Sequence, residues 1–148
     1  MARKQRVLIL CTGNSARSQM AEGLLRHDAD DRFEVVSAGI SPTQVRPEAI
    51  AVMSEIGIDI SGQRSKSIDS FAGQNFDYVL TVCDHAKESC PIYPAHTKRL
   101  HHSFEDPASI EGTELERLTA FRKVRDELRS YLRRLRLEGP FYGCDPRG

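Results

Sequence analysis

The 148-residue sequence has no net charge, because 21 Lys and Arg offset 21 Asp and Glu. A protein that grips nucleic acid through its phosphates needs an excess of basic residues, so a general nucleic-acid binder is excluded. Also missing is any apolar run near the roughly 20 residues that a membrane-spanning helix requires. The first apolar stretch, Val7-Leu8-Ile9-Leu10, is shorter than the about 7–15 residues of an export-signal core and reads as a strand. There is no internal repeat and no low-complexity segment. Cysteines are few: Cys11, Cys83, Cys90 and Cys144. Without export they do not form a disulfide framework, and in a reducing compartment such residues are buried, metal-bound or catalytic. The expectation is a cytoplasmic, monomeric, enzyme-sized domain with no membrane or nucleic-acid partner.

What is present alternates between apolar runs and helical patterns. Strands are predicted over residues 7–10, 33–38 (closed by Gly39), 77–82 and 97–100. A helix over 18–26 turns Met20, Leu24 and Leu25 inward, and a second runs from Pro47 until Gly57 stops it. Strands that are apolar throughout, rather than alternating, belong to a parallel sheet covered on both faces. The fold class is therefore α/β: a single three-layer domain, residues 1–137, with a central four-stranded parallel sheet flanked by helices. Leu115, Leu118, Phe121, Val124, Leu128, Leu132 and Leu135 form one stripe of a long last helix. Its other face, with Arg122, Lys123, Arg125, Arg129, Arg133, Arg134 and Arg136, reads as solvated. Residues 138–148, rich in Gly and Pro, read as a flexible tail in which Cys144 is incidental.

The sharpest feature lies between the first strand and the first helix: Cys11-Thr12-Gly13-Asn14-Ser15-Ala16-Arg17-Ser18. Ligands of open parallel sheets bind at the carboxyl ends of strands, where this loop sits. A short loop entering a helix aims several backbone N–H groups at one point, an anion nest. Gly13 and Asn14 are the residues most tolerant of a left-handed backbone in such a wrap. The five residues 12–16 suffice for one turn around a tetrahedral oxyanion, with Arg17 closing the ring through a bidentate grip. The helix N-terminus, the N–H groups and Arg17 all favour the thiolate of Cys11, and the Ser18 hydroxyl could donate to its sulfur. A nucleophile facing a bound oxyanion is an arrangement for covalent catalysis.

These residues resemble a known family. Cys11-x5-Arg17-Ser18 is similar to the phosphate-binding loop of the low-molecular-weight protein tyrosine phosphatase superfamily, with its phosphotyrosine protein phosphatase I-like fold. The longer string from Cys11 to Gly23 resembles the superfamily's thioredoxin-coupled arsenate reductases. The likeness reaches about Leu135 and includes Ser37-Ala38-Gly39, Asp59-Ile60-Ser61 and Phe104-Glu105-Asp106-Pro107. It implies arsenate as substrate, with phosphate or sulfate as mimics, and a role in arsenic detoxification.

A phosphatase needs one thiol, but reducing As(V) to As(III) takes two electrons, which a dithiol supplies on becoming a disulfide. Cys83, at the end of the third strand, lies on the same rim as Cys11. Cys90 follows at the far end of a predicted short helix. The resemblance implies an order: Cys11 attacks arsenic, Cys83 attacks Cys11, Cys90 attacks Cys83, and thioredoxin reduces the last disulfide, with no tightly bound cofactor. Across seven helical steps Cys83 and Cys90 lie roughly 10 Å apart, beyond the about 7 Å a disulfide allows, so that helix must unwind. Asp106, held extended by Pro107, is the expected general acid.

Departures matter too. Ala16 replaces a cysteine common in the phosphatases, and Ala108-Ser109-Ile110 lack the aromatic residues that grip a phosphotyrosine ring. Some related reductases hold a potassium ion near Asn14, Glu22 and Ser37, but Lys66 stands where an acid would complete that site. His96, His101 and His102 match no zinc template, so no metal is expected, and His85 reads as a surface residue rather than a base. The alternatives are a tyrosine phosphatase with residual activity of that kind expected in any case, a glutathione- and glutaredoxin-linked reductase, and an idle anion-binding module.

Overall fold

The computed structural model describes residues 4–91 and 93–137, the side chains of Arg136 and Leu137 excepted. The predicted flexible tail and Cys144 lie outside the described residues. Strands β1 (Gln5–Cys11), β2 (Phe33–Gly39), β3 (Tyr78–Thr81) and β4 (Lys98–His101) form one sheet in the order β2-β1-β3-β4. Every pairing is parallel, so all four carboxyl ends lie on one rim. Residues Val7 to Cys11 and all of β3 are buried. Successive side chains point to opposite faces, so this continuous burial means that both faces are covered. The α/β class and the four-stranded parallel sheet expected from the sequence are what the chain forms.

The helices are α1 (Arg17–Ala29), α2 (Pro47–Ser54), α3 (Asp84–Glu88) and α4 (Glu114–Leu137). Helix α1 packs on β2 and α4, and α2 packs on α4. Met20, Leu24 and Leu25 are buried, as their spacing predicts. The strand order reverses direction between β1 and β3, because the chain leaves β1 toward β2 and later returns to β1's other side. That switch point opens a crevice at the carboxyl rim.

Two expectations for α4 need correction. Leu115 is 66% exposed rather than part of the inward stripe, because it occupies the first turn, beyond the end of the core. The arginine face is not simply solvated. Arg122 holds Glu55 through Nε and Nη2, at 3.0 and 2.7 Å. Arg125 is buried and donates to the Val52 carbonyl and to Glu55. Arg129 holds both oxygens of Asp28. Both acids sit at helix C-terminal ends, where a carboxylate meets the negative pole of the dipole, and the arginines of α4 neutralise them.

Burial alone would oppose the ionisation of Asp28 and raise its pKa, but the hydrogen bonds from Arg129 and His27 and the charges of Arg129 and Arg133 outweigh it. The carboxyl is held below its ordinary 3.8. Folding thus depresses this acid, so its contribution is complete above its ordinary value and is lost as pH falls through the lower folded value. Asp28→Asn is expected to cost about 1–2 kcal/mol near neutrality. In thermal melts the gap from wild type closes as pH drops below about 4; a gap independent of pH would contradict the assignment.

Candidate active site

The loop from Cys11 to Arg17 is held from outside by its carbonyls. Those of Cys11, Thr12, Gly13 and Ser15 accept from the amides of Ile40, Ser41, Thr43 and Arg46, and that of Asn14 accepts from Ser65 Oγ at 2.6 Å. A trans peptide points its N–H opposite to its C=O, and no cis bond occurs among the described residues. The amides of Thr12 to Ala16 therefore turn away from these anchors, toward the hollow of the loop. Ala16, at the N-cap of α1, offers no side-chain cap, and the first turn of the helix holds no acid. An alanine is a poor N-cap. The positive end of α1 is left for an anion to satisfy.

Asn14, not Gly13, takes the left-handed backbone, at φ 48°. Gly13 serves through its small size, since a Cβ there would lie 3.3 Å from both Ser15 Oγ and Thr43 Oγ1. The Asn14 side chain is fully buried and organises the site. Its Nδ2 donates to Ser18 Oγ at 2.8 Å and to Ser37 Oγ at 2.9 Å, while its Oδ1 accepts from Gln19 Nε2 and the Lys66 amide. Ser18 Oγ lies 2.9 Å from Cys11 Sγ. Having accepted from Asn14, that hydroxyl keeps its own hydrogen for the sulfur.

Arg17 donates to the Phe104 carbonyl at 3.0 Å, and its Nη2 is 3.9 Å from Asp106 Oδ2. The loop carrying Asp106 is stitched to the rim of β3, where the His102 and Phe104 amides donate to Thr81 and Val82. Asp106 is extended, at φ −78° and ψ 106°, and its Oδ1 accepts from the Ala108 amide, so its second oxygen faces Arg17. Arg17 thus joins the end of the Cys11 loop to the Asp106 carboxylate.

Val82 donates to the Leu10 carbonyl, which continues the β1–β3 register and sets Cys83 beside Thr12. Cys83 is buried, caps α3 by accepting from the Ala86 amide at 3.4 Å, and lies 3.4 Å from Thr12 Oγ1. Cys90 follows the helix, half-buried, and Cys11, Cys83 and Cys90 are all free thiols. Burial, and then the neighbouring Cys90, push the Tyr93 phenol up to about 12. His101 bonds Thr81 through Nδ1 and Asp84 through Nε2, whereas the His102 ring packs 4.5 Å from that of Phe104, so the two histidines diverge.

Three supporting residues were given no role in the site from sequence. Gly39 lies so close to the loop that a Cβ would be 2.7 Å from the Thr12 carbonyl and 2.8 Å from the Asn14 amide. A glycine ending an apolar strand is a usable signal of such an approach. Gln19, fully buried, and Ser65 bond Asn14 from other elements, and no local pattern announces them.

The region around Glu22 does not fit a potassium ion. Lys66 Nζ stands 3.6 Å from Glu22 Oε1, and Arg26 lies 2.9 Å from the other oxygen. Asn14 presents N–H groups rather than its carbonyl to Ser37, which donates to Glu22 at 2.6 Å. Exchanging sodium for potassium is expected to change kcat/KM by less than about twofold, since a fixed ammonium already balances the buried acid. A several-fold change in steady-state assays would contradict this.

The sequence model of the family described as low molecular weight phosphotyrosine protein phosphatase matches residues 6–138, and the chain belongs to that family. Within it, the likeness is to arsenate reductases. The chain is 49% identical over 125 residues to an arsenate reductase of Shouchella clausii, covering 84% of this chain and 90% of that one. A solved arsenate reductase in its oxidized state superposes with a TM-score of 0.76 at 33% identity, over 88% of this chain and 95% of that one. A thioredoxin-dependent arsenate reductase of Corynebacterium glutamicum superposes at 0.70 with 28% identity, over 92% of this chain and 64% of that one.

Proposed function

We propose that the protein reduces arsenate to arsenite through Cys11, Cys83 and Cys90, with thioredoxin restoring the dithiol. The observation that carries this reading is the Cys83 thiol, buried against Thr12 of the oxyanion loop and one residue out of register with Cys11. A phosphatase has no use for a second thiol there. Arsenate copies the shape and charge of phosphate, so inward amides, an uncapped α1 and Arg17 suit either.

The Cys11 thiolate attacks arsenic, an As–O bond breaks, and Asp106 gives its proton to the departing oxygen. Cys83 then attacks the sulfur of the adduct. A Cys11–Cys83 bond forms, the S–As bond breaks, and its electron pair stays on arsenic, which leaves as As(III). Cys90 attacks Cys83, forms the Cys83–Cys90 disulfide and frees Cys11 as a thiolate. Since α3 and its caps fill the interval from Cys83 to Ser89, the helix unwinds in this step and offers the disulfide to thioredoxin. The relatives' names and the thioredoxin dependence of the Corynebacterium enzyme support the assignment.

The deciding assay is arsenate-dependent NADPH consumption with thioredoxin and its reductase. Cys90→Ser is expected to release one arsenite per chain and stop at the Cys11–Cys83 disulfide. Sustained turnover of that variant with glutaredoxin and glutathione would instead favour the glutathione-linked route. Because the loop reads charge and shape, slow hydrolysis of phosphate esters is expected alongside.

A further inference from the structure

We infer that His85 takes the proton of the Cys83 thiol through the hydroxyl of Thr12, and so prepares Cys83 for the step that expels arsenite. This rests on the thiol cascade proposed above and adds one positioning residue to it. Thr12 Oγ1 lies 3.4 Å from Cys83 Sγ and 3.3 Å from His85 Nδ1, a continuous chain of three polar atoms. Its middle member belongs to the oxyanion loop and its other two to the start of α3.

The need for a relay follows from burial. Cys83 is 4% exposed, so its proton has no direct way to water. A hydroxyl cannot keep an extra proton, but it can accept one and pass on its own. Imidazole is the side chain that can take up that proton near neutral pH, and His85 is exposed, so it can return the proton to solvent. The direction is consistent with the bonds. The relay requires that Cys83 donate to Thr12 Oγ1, that Thr12 donate to Nδ1, and that the ring carry its hydrogen on Nε2, and both contacts admit these directions. After transfer, Thr12 donates to the thiolate, as the Ala86 amide already does. The other charged group at the start of α3, Asp84, is engaged by His101.

Cys11 is served differently, by a Ser18 hydroxyl whose hydrogen Asn14 leaves free for the sulfur. Cys11 thus has a hydroxyl donor at its sulfur before substrate arrives, whereas the hydroxyl beside Cys83 is shared with His85. In the step itself, the S–H bond of Cys83 breaks, its proton shifts Thr12's hydrogen onto Nδ1, and the sulfur electron pair forms the bond to Cys11. The S–As electron pair departs on arsenic. The proton on His85 then passes to water.

The test uses single turnovers in Cys90→Ser protein, where arsenite release reports the Cys83 step alone. Adding His85→Ala or His85→Gln is expected to slow release about tenfold or more, with phosphate affinity by calorimetry unchanged. Imidazole in the buffer restores the alanine variant and not the glutamine variant, whose side chain still bonds Thr12 and fills the site. In Thr12→Val protein, loss of His85 adds no further slowing. Parental rates in both His85 variants, or full recovery with glutamine, would overturn the relay and leave the cascade standing. No arsenite from the Cys90→Ser parent would overturn the cascade itself.

Discussion

Cys83→Ser is expected to lower arsenate turnover by about three orders of magnitude or more, while phosphate binding in the loop is retained. Serine matches cysteine in shape, so the cap on α3 and the contact with Thr12 survive in weakened form. What serine cannot do is attack the Cys11 sulfur, so that the S–As electron pair leaves on arsenic, and end as half of a disulfide. Cys11 still attacks, but its adduct can only return to arsenate by hydrolysis. Stopped-flow release of arsenite, read against calorimetric phosphate binding, separates this from a folding defect. Arsenite release at even a tenth of the wild-type rate would reduce the protein to an ester hydrolase with a spare thiol.

The second large effect is expected at Gly39, which touches no substrate. An alanine Cβ would meet the Thr12 carbonyl at 2.7 Å, the Asn14 amide at 2.8 Å and Asn14 Cβ at 3.0 Å. Two of these three are backbone atoms, so no rotamer relieves the clash and the loop must shift. The strand cannot yield, because the Gly39 amide donates to the Lys66 carbonyl and its register with Cys11 is fixed. Gly39→Ala should cost about 1–3 kcal/mol of stability. It should weaken phosphate binding at least about tenfold, since a misplacement near 1 Å spoils converging donors. Gly62→Ala is the control: nothing lies within 4 Å of that Cβ, so melts and binding should be unchanged or slightly improved. Equal behaviour of the two variants would show that the close approach does not shape the loop.

These two residues differ in how far sequence reaches. Cys83 could be singled out because the end of an apolar strand and the electron count of the reaction both point to it. Gly39 could be read as the close of a strand, but its contact is with a loop 25 or more positions away in the chain. The same contrast holds in α4. Its leucine period foretold the buried face from Phe121 to Leu135, yet not that Arg125 would be buried against Val52 and Glu55. Charge patterns report what a helix can offer, and only packing shows which acids come to meet it. His85 is the sharpest case. As a lone polar residue in a short helix it reads as surface, and it is exposed; its bond to Thr12 exists because β3 lies beside β1.

Local chemistry and periodicity thus determined the elements, the parallel sheet and the identity of Cys11, Arg17 and the thiols, because each is encoded within a few neighbouring residues. Tertiary structure alone decided that Asn14 would tie its loop to β2 and to the segment of Ser65 and Lys66, that Lys66 would sit against Glu22, and that Asp106 would face Arg17. Those contacts span tens of residues, and they form only where strand order and loop closure bring distant side chains to the same rim.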